Sequence, residues 1–110
     1  MARDFAHIKE IVSDSSKSKR RTFIVQKYIH NPLLYCRRKF DIRTYALFTS
    51  VNGNQKGYFY QEGYLRTSCR EFSLNHITNK YIHLTNDAIQ KKCEEYGKFE
   101  PGNKLSYNEF

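Results

Sequence analysis

The chain has 110 residues and a formal net charge of +8, from 19 Lys and Arg against 11 Asp and Glu. That length allows one domain with a modest core, the 15% aromatic content argues against disorder, and no apolar run approaches the roughly 20 residues a membrane-spanning helix needs. Met1-Ala2-Arg3-Asp4 lacks the regions of a secretion signal, and the excess charge favours a polyanion without choosing between nucleotide phosphates, nucleic acid, an anionic membrane and an acidic protein tail.

Phe5, Ile8, Ile11 and Val12 fall on one face at helical spacing, which predicts a short amphipathic helix from Asp4 to Val12. Ser13 to Arg21 is polar and low in complexity and reads as a mobile loop. Its basic end suits a solvated loop first and a phosphate or nucleic-acid patch second. Thr22 to Gln26 is β-branched and aromatic, a buried strand by composition, and Asn31-Pro32 breaks it. Leu33-Leu34-Tyr35 then leads into a strand expected over Lys39 to Val51. There Phe40, Ile42, Thr44, Ala46 and Phe48 recur at a period of two, while Lys39, Asp41 and Arg43 share the other face.

Asn52 to Gly57 is rich in residues that tolerate positive φ, and Tyr58-Phe59-Tyr60 is expected to return antiparallel as a hairpin. Residues 63–79 read as irregular, with a loop from Ser68 to Ser73. Tyr81 to Leu84 reads as a short strand. Asn86 or Asp87 then caps a helix expected from about Ala88 to Glu95, with Gln90 three residues after Asp87 as a capping box requires. Ser106-Tyr107-Asn108-Glu109 has the pattern of a helix start, and a helix begun there and not continued suggests an excerpt from something longer, or a terminus that docks on a partner. The elements together predict an α+β fold, mostly antiparallel sheet with flanking helices.

Cys36, Cys69 and Cys93 are odd in number and widely spaced, so reduced thiols in a cytosolic protein are expected. Zinc held by Cys93 with His76 or His83 is the alternative, without a supporting ligand spacing. The Lys39, Asp41 and Arg43 face is either solvated, with local ion pairs, or lines a polar site. In a site, the carboxylate suits a ribose hydroxyl or an ordering salt bridge and the cations suit phosphate oxygens. Gln26-Lys27-Tyr28-Ile29 is an ordinary strand end or a backbone edge that reads a flat heteroaromatic ring. Gly63 lets the backbone turn and aim Arg66 toward the same face. His83-Leu84-Thr85-Asn86 sits before the expected helix, where amides and hydroxyls favour anions; simple capping by Thr85 and Asn86 is the other reading, and His83 is a neutral polar contact or a structural histidine.

In this order, four segments resemble the tubulin–tyrosine ligase-like family of ATP-grasp amide ligases. They are Val25-Gln26-Lys27-Tyr28-Ile29-His30-Asn31-Pro32-Leu33-Leu34, Arg38-Lys39-Phe40-Asp41-Ile42-Arg43, Tyr60-Gln61-Glu62-Gly63-Tyr64-Leu65-Arg66-Thr67-Ser68, and His83-Leu84-Thr85-Asn86-Asp87-Ala88-Ile89-Gln90. The resemblance implies a partial ATP-grasp domain over residues 1–110. Residues 1–21 would be a helix plus basic loop, 22–92 the family-like core and 93–110 a polar C-terminal segment.

It further implies an enzyme that uses ATP and magnesium to phosphorylate a carboxylate, which an amine then attacks. A free Glu or Gly, or Tyr, is thereby added to tubulin. By matching position, Gln26, Lys27, Tyr28 and Ile29 would hold adenine, and Lys39 and Asp41 would lie near adenine and ribose. Arg43 and Arg66 would be the catalytic pair on the phosphates and the acyl phosphate. Thr85 and Asn86 would sit near the nucleotide and the incoming amino acid. The family's glycine-rich loop with its lysine, and its magnesium ligands, fall outside these 110 residues, so the span is expected to be inactive by itself. The implied partners are ATP, a free amino acid and the acidic tails of tubulin, with no membrane, in the cytoplasm and cytoskeleton, with the cilium or axoneme as a further setting. The alternative is a non-catalytic microtubule or ciliary binding protein of the same descent. Nucleic-acid binding is the least favoured reading, because no motif accompanies the basic charge and the aromatics fit strand cores.

Overall fold

A computed structural model describes residues 2, 4–14 and 23–110. The chain forms two compact units, residues 1–31 and residues 32–110.

The first unit contains helix α1, Phe5–Asp14. Its start is capped by Asp4, whose Oδ1 accepts the His7 amide at 2.8 Å. Ser13 and Asp14, expected to open a loop, belong to α1; the rest of that expected loop, from Ser15 onward, lies outside the described residues. The strand expected over Thr22 to Gln26 is not formed by its described part. Residues 23–30 have no regular secondary structure, and Ile24 is 85% exposed. Composition favours a strand only where a pleated neighbour pairs with it, and among the described residues this segment has no such neighbour.

The second unit contains β1 (Leu34–Tyr35), β2 (Arg38–Arg43), β3 (Ala46–Val51), β4 (Asn54–Phe59) and β5 (Tyr64–Glu71). The helical turns α2 (Lys80–His83) and α3 (Asp87–Gln90) follow, then β6 (Lys104–Ser106). An antiparallel sheet in the order β1-β2-β5-β6 forms its centre, and β3 and β4 make a separate two-stranded sheet. The β3–β4 hairpin closes on Asn52 and Gly53, at φ 49° and 80°, with Val51 opposite Asn54. These are the left-handed conformations of a two-residue hairpin turn, and Asn-Gly is the pair that adopts them most readily.

Five expectations are corrected here. The strand from Lys39 to Val51 breaks at Thr44 and Tyr45, so β2 and β3 belong to different sheets. Its apolar face is therefore not a continuous buried one: Ile42 is 53% exposed, and Phe48 is exposed too. The region assigned as irregular contains β5, the strand between β2 and β6, which includes the buried Leu65, Thr67, Ser68 and Cys69. The expected strand Tyr81–Leu84 is α2, started by Asn79, whose side chain accepts the Tyr81 amide at 3.0 Å. The helix expected to reach Glu95 stops at Gln90. Asn86 caps it, and Gln90 turns inward rather than closing a box. The helix start expected at Ser106 is not formed; Ser106-x-x-Glu109 makes half of its pattern in a turn after β6, where Ser106 N and Oγ both donate to Glu109 Oε2 at 2.7 Å and the Glu109 amide donates to the Ser106 carbonyl rather than to its hydroxyl.

The core holds few large apolar side chains, so hydrogen bonds do much of the fixing. Leu65, Cys69, Ile82, Cys93 and Leu105 are buried beside Arg38, Thr67, Ser68, His83, Gln90, Glu100 and Asn103. Arg38 is the centre of one polar cluster. Its Nη1 donates to Glu100 Oε2 at 2.8 Å, and to Thr67 Oγ1 and Ser68 O at 3.3 Å. Its Nη2 donates to Glu100 Oε1. The guanidinium also lies 4.4 Å from the Phe99 ring centre. Gln90 is the second hub: it accepts the Cys69 amide at 2.9 Å and donates to the carbonyls of Leu84 and Tyr81. Among the described residues no buried side-chain polar atom lacks a partner. No helix among them is long and apolar enough to cross a membrane.

Candidate functional site

Alternation along β2 sends Lys39, Asp41 and Arg43 to one face, while Arg38 is buried. The register sets Asp41 opposite Arg66 and Arg43 opposite Tyr64, and β6 sets Lys104 opposite Arg66. Cross-strand partners point the same way, so these side chains form one polar face of the central sheet. Arg66 grips Asp41 bidentately: Nε donates to Oδ1 at 3.0 Å and Nη2 to Oδ2 at 2.8 Å. Of the two readings open for Asp41, the structure thus contains the ordering salt bridge.

The segment after α2 lies beside this face. The Lys39 ammonium donates to the His83 carbonyl at 3.3 Å. His83 is buried, its Nε2 lies 3.0 Å from the His76 carbonyl, and its ring meets Phe72 edge-on. Thr85 approaches the Asp41 carboxylate, and Asn86 caps α3 by accepting the Ala88 amide at 3.0 Å. With only four residues, α3 supplies little of the macrodipole that the sequence argument invoked for this junction.

The electrostatics follow from these contacts. Burial would raise the Asp41 carboxyl, but hydrogen bonds from Arg66 and Thr85 and the charges of Arg66 and Arg43 outweigh it and hold it below its usual range. The Asp41 carboxylate in turn raises Arg66. Burial lowers Lys39 and lowers His83, so His83 is neutral near pH 7. Arg43 is exposed and enters no ion pair among the described residues.

Of the predicted site residues, Lys39, Asp41, Arg43, Arg66 and Thr85 are thus brought together, with Asn86 next in sequence. Gln26, Lys27, Tyr28 and Ile29 belong to the first unit. There Tyr28 is half-buried, its hydroxyl raised by that burial, with its ring 5.9 Å from His30, and the other three are exposed. Gly63 acts by close approach: a Cβ there would stand 2.5 Å from the Arg43 carbonyl oxygen. The zinc pairing of Cys93 with His76 or His83 is not assembled. Cys93 bonds Glu95 at 3.1 Å, and His76 and His83 contact each other. Among the described residues no group of three His, Cys, Asp or Glu could hold a metal ion. Clefts of about 390 Å³, between Thr78 and Lys92, and about 290 Å³, on the hairpin between Tyr45 and Tyr60, are lined by none of the predicted site residues. Lys104 was missed: Lys104-Leu105-Ser106 alternates polar and apolar over too few residues to read as a strand.

The sequence matches the Tubulin-tyrosine ligase family over residues 2–110. The chain belongs to that family. It is 44% identical to Tubulin glycylase 3D of Tetrahymena thermophila over 87% of this chain and 9% of that protein. It is 41% identical to Tubulin glycylase 3B of Drosophila melanogaster over 76% of this chain and 11% of that protein. A third relative, Probable tubulin polyglutamylase TTLL9 of Bos taurus, is 42% identical over 67% of this chain and 16% of that protein. The chain thus spans a small fraction of the length of the curated relatives it matches. The mostly antiparallel α+β architecture is compatible with part of an ATP-grasp-like fold.

Proposed function

We propose that this chain is the nucleotide-holding core of an ATP-dependent ligase that adds glutamate or glycine to tubulin through an acyl-phosphate intermediate. The observation that carries this reading is the single sheet face bearing Lys39, Asp41, Arg43 and Arg66. A polyphosphate is the ligand that such a set of cations fits, and Asp41 holds Arg66 in a fixed orientation before a ligand arrives. Phosphoryl transfer to a carboxylate needs alignment and positive charge more than a protein base. Arg43 and Arg66 would neutralise the transferring phosphoryl group and the acyl phosphate. Lys39 and Asp41 would face adenine and ribose. Thr85 and Asn86 would border the nucleotide and the amino acid. Magnesium does not fit the carboxylates of the described residues: they make no metal-holding cluster, and Asp41 is engaged by Arg66. No step is assigned to the ion within this chain.

The names of the relatives support tubulin as acceptor and Glu or Gly as the added residue. The +8 charge suits an acidic tubulin tail. To test the reading, the full-length gene product is incubated with ATP, microtubules and labelled glutamate or glycine. Incorporation that Arg66→Ala abolishes supports it; no incorporation of any amino acid ends it. A second reading, non-catalytic microtubule binding, draws on the same charge and on the missing metal cluster among the described residues. Co-sedimentation with microtubules without ATP turnover would favour it.

A further inference from the structure

We infer that Lys104 is a further phosphate-binding residue, forming with Arg66 a two-cation clamp on β5 and β6 for a phosphoryl group. The inference rests on the nucleotide reading and adds a residue to its site. Arg66 and Lys104 are direct cross-strand partners. Neighbouring strands stand roughly 4.8 Å apart, and like charges directly opposite destabilise a sheet. Arg66 is half-buried and Lys104 exposed, and two such cations side by side call for an anion.

No local carboxylate forms an ion pair with Lys104 among the described residues. Asp41 takes the Nε and Nη2 donors of Arg66, on the β2 side. Asp87 acts on Lys104 and Arg66 through its charge, but its direct contacts are with Lys91 at 2.9 Å and the Tyr96 hydroxyl at 2.7 Å. The Lys104 ammonium lies 5.8 Å from the Tyr64 ring centre, on the face that also bears Arg43. Guanidinium has five N–H donors, so Arg66 keeps some after binding Asp41. A tetrahedral phosphoryl group between β5 and β6 can accept from Arg66 and Lys104 together, which a single carboxylate oxygen does less well. Leu65 and Leu105 form the buried floor beneath the pair, fixing the spacing of the two strands.

The test measures calorimetric affinity of the full-length gene product for tripolyphosphate, for ATP and for a glutamate-rich peptide, using wild type, Lys104→Ala, Lys104→Arg and Arg66→Ala. Lys104→Ala should weaken tripolyphosphate and ATP about ten- to a hundredfold, the scale of one charged hydrogen bond, with a shallower salt dependence, and Lys104→Arg should restore both. If Arg66→Ala loses phosphate affinity and Lys104→Ala does not, the clamp is wrong and the nucleotide reading stands. If Lys104→Ala weakens only the peptide, the clamp is wrong because the site takes carboxylates. If the wild-type protein binds neither phosphate compound, clamp and nucleotide reading fall together.

Discussion

Removing Glu100 tests what holds the polar face in place. Arg38 is 2% exposed and Glu100 is 7% exposed, and they share two hydrogen bonds. Thr67 donates a third bond to Glu100 Oε2 at 2.9 Å. In Glu100→Ala the guanidinium keeps only the neutral acceptors Thr67 Oγ1 and Ser68 O, each at 3.3 Å. A buried charge left without its partner costs about 3–5 kcal/mol, a large part of the roughly 5–15 kcal/mol that stabilises a domain. At about 1.4 kcal/mol per tenfold, the folded-to-unfolded ratio should fall by roughly two to three and a half powers of ten. Replacing both partners by apolar residues, Arg38→Met with Glu100→Leu, removes the charge as well as its partner. That pair should recover most of the stability. Urea unfolding followed by far-UV circular dichroism and tyrosine fluorescence measures both variants. A Glu100→Ala loss below about 1 kcal/mol, the value of a solvated surface pair, would refute the buried arrangement.

Three further outcomes are expected. Gln90→Leu strips an acceptor from the Cys69 amide and a donor from the Leu84 and Tyr81 carbonyls, for a loss of about 2–4 kcal/mol; hydrogen exchange at the Cys69 amide should accelerate, and unchanged protection would contradict the hub. Gly63→Ala would set a methyl 2.5 Å from the Arg43 carbonyl and 2.2 Å from the Tyr107 hydroxyl, at a cost of about 1–3 kcal/mol; an unaltered Tm would show that the backbone yields freely there. Acid should destabilise in two stages. His83 is held below its ordinary value, so the unfolded chain takes up its proton first and stability slips as pH falls below about 6.5. Asp41 and Glu100 are held below theirs, so the stability they give is full above about pH 4 and drains as pH drops through their folded values. A urea midpoint that stays level from neutral pH down to about pH 3 would contradict these assignments.

Side chains whose pattern is local were legible in the sequence. The Phe5, Ile8, Ile11 and Val12 spacing gave α1, Asn52-Gly53 gave the hairpin, and the Lys39, Asp41 and Arg43 alternation gave the polar face. What escaped depends on distant partners. Tyr64-Leu65-Arg66-Thr67-Ser68-Cys69 shows no apolar run because its burial is made tolerable by Arg38, Glu100, Gln90 and Asn103, from 21 to 36 residues away in the chain. No window of β5 alone reveals that Thr67 and Ser68 are satisfied. Phe23, Ile24 and Val25 misled for the converse reason: strand-forming residues need an adjacent strand, and composition does not say whether one is present. The Asp41–Arg66 pair lay between, since both residues were singled out but only the β2–β5 register joins them.

That register contains an irregularity with an evolutionary consequence. Arg38 pairs with Glu71 and Phe40 with Thr67, so Lys39 alone spans the width of Ser68, Cys69 and Arg70. On one side of this point the buried cluster fixes Arg38, and on the other Asp41 meets Arg66. A single-codon insertion or deletion between residues 38 and 43 would exchange inward and outward side chains along the rest of the strand. It would drive lysine or aspartate toward the core and turn phenylalanine to water. Homologous genes should therefore vary in length at the Asn52-Gly53 tip and keep this hexapeptide free of indels.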